Sequence, residues 1–265
     1  MWELHSIYLL PWLIYLYLFI LYFVDERRDL EAEIVSIDNI YIDCTSEHST
    51  KPPKSITLLK SVQTSAYTDA VLHYKGVTYL GTNNYTVETI DSDFNIKTLV
   101  SLGEDKLPRG ISIHDERIYV LVSGVEGPYT INVYDLSGQL ITQWDRTDSC
   151  FSTRLSIVSN QIVVPDYENK QLTVYSLTGE VIKCISCPLI SGDEDSQAST
   201  CVVDNNSIIV THCDTSQVFK VNISTEETVW TCNDVAEPLS VATYGKDYVC
   251  VGSEGKISLL NINTG

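Results

Sequence analysis

At 265 residues and 44% hydrophobic content, the chain is long enough for one large domain or two small ones, and apolar enough for a substantial core. Its 17 Lys and Arg stand against 35 Asp and Glu, a net charge of −18. That balance argues against a nucleic-acid partner, because binding to phosphate backbones runs on cationic side chains that release counterions.

In chain order, the first element is "SIYLLPWLIYLYLFILYFV", residues 6–24, which contains no charge. As a helix it would cover about 28 Å, close to a ~30 Å hydrocarbon core. Trp2, Trp12, Tyr22 and Phe23 are placed as interfacial aromatics. Residues 1–24 are therefore expected to form one hydrophobic membrane-anchor helix. A cleaved signal peptide fits less well, since no basic segment precedes the run and no small-residue cleavage site follows it. A non-native start of the chain is the third alternative. Arg27 and Arg28 follow the span and no Lys or Arg precedes it, which leans the C-terminal part toward the cytoplasm. Residues 25–54 read as a stalk or linker ending in the extended break "KPPK" at 51–54.

From residue 66 onward the text repeats itself. Apolar triplets recur as Val77-Thr78-Tyr79, Ile118-Tyr119-Val120, Ile162-Val163-Val164, Ile208-Ile209-Val210 and Tyr248-Val249-Cys250. A further strand follows each triplet ("VETID", "INVYD", "LTVYS", "VFKVN", "ISLLN"), then a turn ("SDFN", "LSG", "LTG", "ISTE", "INTG") and another strand. An alternating run such as "GISIH" or "LSIVS" precedes the triplet. Four short strands in a unit of this length is the arithmetic of a propeller blade. The expected fold is all-β: residues 55–265 form a β-propeller of about five four-stranded blades, preceded by one hydrophobic helix.

The fifth unit shows only three strands, while "SITLLKSV" at 55–62 has no unit of its own. Pairing of Ile56–Val62 beside Ile257–Leu260 would complete the last blade and remove both open edges. The alternative is an incomplete six-bladed ring.

"LPRGISIHDERIYVLVSG" (107–124) and "IVVPDYENKQLTVYSLTGEVI" (162–182) resemble NHL repeats, the propeller units at the C-terminus of tripartite-motif proteins. The matching features are Pro-x-Gly-Ile ahead of the first strand, the Ile-Tyr-Val triplet, Asp166 just after the Ile162-Val163-Val164 triplet, and Val-Tyr-x-x-x-Gly. The resemblance implies a propeller that binds protein or RNA and is not itself an enzyme. In that family, ubiquitin-ligase activity belongs to upstream zinc modules, and ahead of its repeats this chain offers only His5, Cys44 and His48 as ligand types.

Few residues carry a chemical signature. The chain has no HExxH, GxSxG, GxxxxGK or GxGxxG. Cys184-x-x-Cys187 has metal-like spacing, but residues i and i+3 of a strand point to opposite faces. Eight cysteines in a chain of this length require no disulfide framework, and Cys201 and Cys250 lie in strand-like runs where free Cys is a small core residue. Asp193-Glu194-Asp195 lacks the spacing of a dedicated Ca²⁺ loop. His73 and His114 are expected at the same place beside the first hairpin turn of units one and two.

The candidate binding residues are Tyr85, Tyr129 and Tyr167, in loops between the second and third strands, with Arg109 and Arg154 at blade entries. In a propeller these loops share one face, and Tyr and Arg dominate binding hot spots. The expected function is a non-catalytic, membrane-tethered platform for a protein partner, with no cofactor, catalytic residue or metal site and no nucleic-acid binding. The alternative from another class is a lumenal or extracellular propeller hydrolase or lactonase with a metal in its channel. Ile111, Ile113, Leu155, Ile157 and Val203 are expected to line that channel with apolar side chains, which counts against the enzyme.

Overall fold

The computed structural model describes residues 64, 66–124, 129–146, 154–190, 198–253 and 256–265. The hydrophobic segment 1–24, the stalk 25–54, the expected closing strand Ile56–Val62 and the acidic loop 193–195 lie outside the described residues. Among the described residues no helix is long and apolar enough to cross a membrane.

Among the described residues, nineteen strands form five antiparallel sheets in a five-bladed propeller arrangement. Blade one holds β1 (Thr68–Tyr74), β2 (Val77–Thr82), β3 (Thr86–Ile90) and β4 (Ile96–Ser101). Blade two holds β5 (Lys106–His114), β6 (Arg117–Gly124), β7 (Thr130–Asp135) and β8 (Leu140–Asp145). Blade three holds β9 (Ser156–Val158), β10 (Gln161–Asp166), β11 (Gln171–Ser176) and β12 (Val181–Ser186). Blade four holds β13 (Ala198–Asp204), β14 (Ser207–His212), β15 (Gln217–Asn222) and β16 (Glu227–Cys232). Blade five has three described strands, β17 (Ser240–Tyr244), β18 (Tyr248–Ser253) and β19 (Lys256–Asn261). Strands pair in chain order within every blade, and the inner strands β1, β5, β9, β13 and β17 pack one against the next.

Among the described residues the core is four apolar layers, each sandwiched between successive blades. Ile118, Val120 and Val122 face Tyr79 and Val87 of blade one, while the alternate residues Tyr119 and Leu121 face Leu155, Ile162 and Val164 of blade three. Val163 and Val174 face Ile208, Val210 and Phe219, and Ile209 faces Val249 and Val251. A strand buried on both sides reads as a continuous apolar run, which is why the second strands are so legible.

This double burial corrects two expectations. Ile111 and Leu155 belong to the layers between blades, with Ile113, Ile157 and Val203 packed against those layers, rather than lining the channel. Side chains stand perpendicular to a sheet, so those of an inner strand point at the neighbouring blades and not along the sheet toward the axis. The equivalent triplets are also shifted by one residue in units one and five. Hairpin pairing of Tyr74 with Val77, His114 with Arg117 and Val158 with Gln161 aligns Thr78, Ile118 and Ile162. In blade five Tyr244 pairs with Tyr248, so Val249 is the equivalent residue. Two-residue turns with both φ positive, at Asp115-Glu116 and Ser159-Asn160, set the register in blades two and three. The same alignment makes His114 equivalent to Tyr74, not to His73, and the two histidines face opposite sides.

Third strands end at Asp135, Ser176, Asn222 and Asn261, or just before Asp91 in blade one, and each of these side chains caps the turn that follows. Asp135 Oδ1, for example, accepts the backbone N–H of Ser137 and Gln139, both at 2.9 Å. Ser176 Oγ accepts those of Thr178 at 3.2 Å and Glu180 at 3.0 Å. These short polar side chains replace backbone partners in the turn. The outermost strands carry a bulge in every complete blade, at Leu99, Ile141, Ile182 and Val229. Bulging disrupts the ladder of an edge strand and so blunts its capacity to pair with other chains.

Candidate functional site

Because consecutive strands are antiparallel, the loops between second and third strands emerge on the same end as those that enter each blade. Backbone hydrogen bonds tie them together there. Asn83 N–H donates to the Tyr67 carbonyl at 2.9 Å, Leu102 N–H to that of Tyr85 at 2.9 Å, and Arg146 N–H to that of Tyr129 at 2.7 Å. All five candidate residues lie on this end, in three different environments.

Arg109 and Asp69 form the best-defined pair. Each is the extra residue of a bulge at the start of its inner strand, between Thr68 and Ala70 in β1 and between Pro108 and Gly110 in β5. A bulge re-aims the side chain it carries. Arg109 Nη1 donates to Asp69 Oδ2 at 2.9 Å, and its Nε donates to Ser123 Oγ at 3.0 Å. The side chain of Arg109 is 28% exposed and that of Asp69 8%. Burial pushes the Asp69 pKa above its ordinary value, against the opposing pull of Arg109 and, more weakly, of Arg154.

Arg154 reaches the same place from blade three. A Cβ placed on Gly110 would lie 3.2 Å from Arg154 Cα and from Leu155 N, so the entry of blade three runs directly beside β5. The glycine permits that approach.

The tyrosines behave differently from the expectation of an exposed aromatic face. Tyr85 is half-buried in a left-handed turn with φ of 63°. Tyr129 is only 8% exposed, with Arg146 Cζ 5.6 Å from its ring centroid, a distance suited to a cation–π contact. Tyr167 is 4% exposed, and its ring centroid lies 5.7 Å from that of His212 in blade four. Tyr129 and Tyr167 therefore offer a partner almost no surface. Their rings fill the junctions between loops, which a loop position in the sequence does not reveal.

His212 was not singled out in the sequence. It is fully buried at the end of β14, and Thr215 N–H donates to its Nδ1 at 3.3 Å. Thr215 Oγ1 lies 2.9 Å from the same nitrogen, and Nε2 has no hydrogen-bond partner among the described residues. Burial lowers the His212 pKa below its ordinary value of 6.5. Nearby, Asp166 is fully buried and accepts from Asn169 N and Nδ2 and from Gln171 Nε2 at 2.9–3.1 Å.

Cys184 is exposed, whereas Cys187 is buried with its thiol pushed up to about 11. Burial likewise pushes Cys201 and Cys250 up to about 12, far from the reactive thiolate range. Among the described residues no group of three or more His, Cys, Asp or Glu is placed to hold a metal ion. Asp69 and Arg146 also escaped the sequence reading. For Asp69 a signal existed, since it occupies the same bulged repeat position as Arg109.

No protein-family model matches this chain, and no curated protein matches it significantly. The likeness to NHL repeats thus rests on the motifs of units two and three alone. In fold, the chain is similar to a protein of unknown function from Bacteroides caccae, with a TM-score of 0.59 at 12% identity over 79% of this chain and 81% of that one. It is also similar to the computationally designed Ika8 protein, with a TM-score of 0.50 at 14% identity over 74% of this chain and 71% of that one. At such identities the likeness is one of fold.

Proposed function

We propose that this propeller is a non-catalytic platform for a protein partner, engaged through the loop end and used as the NHL-like motifs imply. Residues 6–24 would tether it to a membrane, with the propeller on the cytoplasmic side. The observation that supports the reading is Arg109: a guanidinium fixed on two sides, partly exposed, and presented by a bulge at a blade entry. Rigid, pre-oriented arginines are the kind of group that anchors protein interfaces.

The test is to recover partners of the full-length chain by affinity purification and map the footprint by hydrogen exchange. Protection concentrated at Tyr85, Lys106–Arg109 and Arg154–Leu155 is the expected result. Protection confined to the outermost strands β4, β8, β12 and β16 would overturn the loop-end assignment.

A further inference from the structure

Each apolar layer belongs to one junction, between blades one and two, two and three, three and four, or four and five. Among the described residues the junction of blades five and one has no such layer. There β17 packs against β13 and makes no comparable contact with β1. The register explains the difference. In β2, Tyr79 and Gly81 point at blade two, so Thr78, Leu80 and Thr82 point the other way, toward blade five. Cross-strand pairing puts His73 of β1 and Glu88 of β3 on that same face. The positions of Thr78 and His73 are held by Ile118 and Ile113 in blade two, and by Ile162 and Ile157 in blade three.

Blade five answers with small side chains. Val249 and Val251 point at blade four, which leaves Cys250 and Gly252 facing blade one, with their partners Ala242 and Ser240. A face of His, Thr and Glu thus meets a face of Ser, Ala, Cys and Gly, where the other junctions bring together Val, Leu, Ile and aromatic rings. Small side chains bury little apolar area, and that burial is what holds packed layers together. Two polar contacts stay within blade one: His73 Nδ1 lies 3.1 Å from Thr78 Oγ1, and Thr82 Oγ1 2.8 Å from Thr86 Oγ1. Both survive if the blades part. Ser240 Oγ is buried with no hydrogen-bond partner among the described residues, so parting gives it water at no loss. Leu259 pairs with Cys250 and shares its face, yet it is 50% exposed. The residues at its position in blades two, three and four, Val133, Val174 and Lys220, are buried.

We infer that the ring opens at the junction of blades five and one while every blade stays folded. Opening at a cost below that of global unfolding is expected where the fewest apolar contacts have to be broken. It separates the entries of blades five and one and leaves in place the contact of β5 with β9, beside which Arg109 and Arg154 lie. The loop end is then a surface that changes shape at one position, with its arginine-bearing part unaltered.

The competing account is that another part of the chain seals this junction as firmly as the apolar layers seal the rest. Two buried thiols separate the accounts. Cys250 is 1% exposed and faces the junction, while Cys187, 2% exposed, lies in the layer between blades three and four. Full-length protein in detergent is pulsed with iodoacetamide at increasing urea, and the labelled cysteines are identified by peptide mass spectrometry. Amide exchange of β18 is followed in parallel. Those amides pair with β17 and β19 inside the blade and do not respond when blades part.

Without urea, Cys250 should be labelled about tenfold faster than Cys187 or more, with β18 amides still protected. Its labelling should also depend less steeply on urea, because that slope tracks the surface exposed. Leu80→Ala removes a fully buried apolar side chain of blade one from this face. It should speed Cys250 labelling by about tenfold or more and leave Cys187 unchanged. The double variant His73→Leu with Thr78→Val replaces a hydrogen-bonded pair by apolar groups together and should slow Cys250 labelling. The inference is overturned if Cys250 labels no faster than Cys187, or only as β18 loses its amide protection. A folded Leu80→Ala protein with the native labelling rate at Cys250 overturns it too. Should that variant not fold, the double variant decides, and an unchanged Cys250 rate there has the same consequence.

Discussion

Trp144 of blade two packs on Gly179 of blade three so closely that a Cβ on the glycine would sit 2.5 Å from Trp144 Cδ2. The same link recurs around the propeller with different chemistry. Leu99 meets Gly138, Lys183 donates to the Ile223 carbonyl at 2.6 Å and pairs with Glu226 at 3.1 Å, and Trp230 donates Nε1–H to the Ile262 carbonyl at 2.9 Å. An outermost strand thus reaches the last turn of the following blade and ties the periphery together.

Gly179→Ala should accordingly be strongly destabilising. Its φ of +95° already disfavours a side chain, and the new methyl would overlap an indole held in place by packing. Overpacking costs about 1–3 kcal/mol and the left-handed backbone roughly 1–2 more. Gly76→Ala is the control, because its φ is +79° and a Cβ there meets nothing within 4 Å. Urea unfolding should show the Gly179 variant losing clearly more stability than the Gly76 variant. Equal losses would mean that Trp144 yields without resistance.

Replacing the buried tyrosines should affect folding before it affects binding. Tyr167→Ala empties a site filled by an aromatic ring 4% exposed and should cost about 3–5 kcal/mol in thermal or chemical unfolding. Tyr85→Ala, at a half-buried turn, should cost about 1 kcal/mol or less. A stable Tyr167→Ala protein would show that the ring is not part of the packed junction with His212.

Stability should also fall on mild acidification. The unfolded chain protonates its histidine near the ordinary value of 6.5, whereas burial holds the His212 pKa lower in the fold. Between those two values the unfolded state binds more protons, so stability declines as pH drops from about 6.5 through the folded pKa. Above 6.5 the group contributes no pH dependence. Urea midpoints at pH 7.5 and pH 5.5 should differ less in His212→Gln than in the native sequence. An unchanged difference would assign the acid sensitivity to other groups.

Blade five makes a fourth test possible. Ile257 and Leu259 of β19 are partly exposed, Leu259 by 50%, whereas the residues at the Ile257 position in the other blades, Val87, Ile131, Leu172 and Val218, are fully buried. If Ile56–Val62 pairs beside β19, each of Ile56, Leu58 and Val62 buries a side chain worth about 1.5–3 kcal/mol. That sum is comparable with the ~5–15 kcal/mol by which domains are stable. A chain lacking 55–64 should then melt well below one starting at residue 51 and associate through its open edge in size exclusion. Matching melting and elution profiles would assign the partner of β19 to some other segment.

Much of this architecture is written locally. The repeat of four strands, the three described strands of the fifth unit and the positions of the loops all follow from apolar runs separated by turns, and these signals involve residues a few positions apart. The end of each third strand carried a further local message, Asp, Ser or Asn, whose capping role was legible and went unread. What the sequence by itself did not decide was direction. Each second strand is buried on both sides, so Val77-Thr78-Tyr79 shows no inside and outside, and a one-residue slip leaves no trace in the pattern. Only the hairpin turns and the neighbouring blades settle which of those residues faces which layer. The same holds for the candidate site. Arg109 and Asp69 are 40 residues apart in the chain and meet only because two bulged inner strands pack side by side. Tyr129 and Tyr167 lie in loops, yet their rings are buried by Arg146 and His212, which tertiary packing alone brings to them.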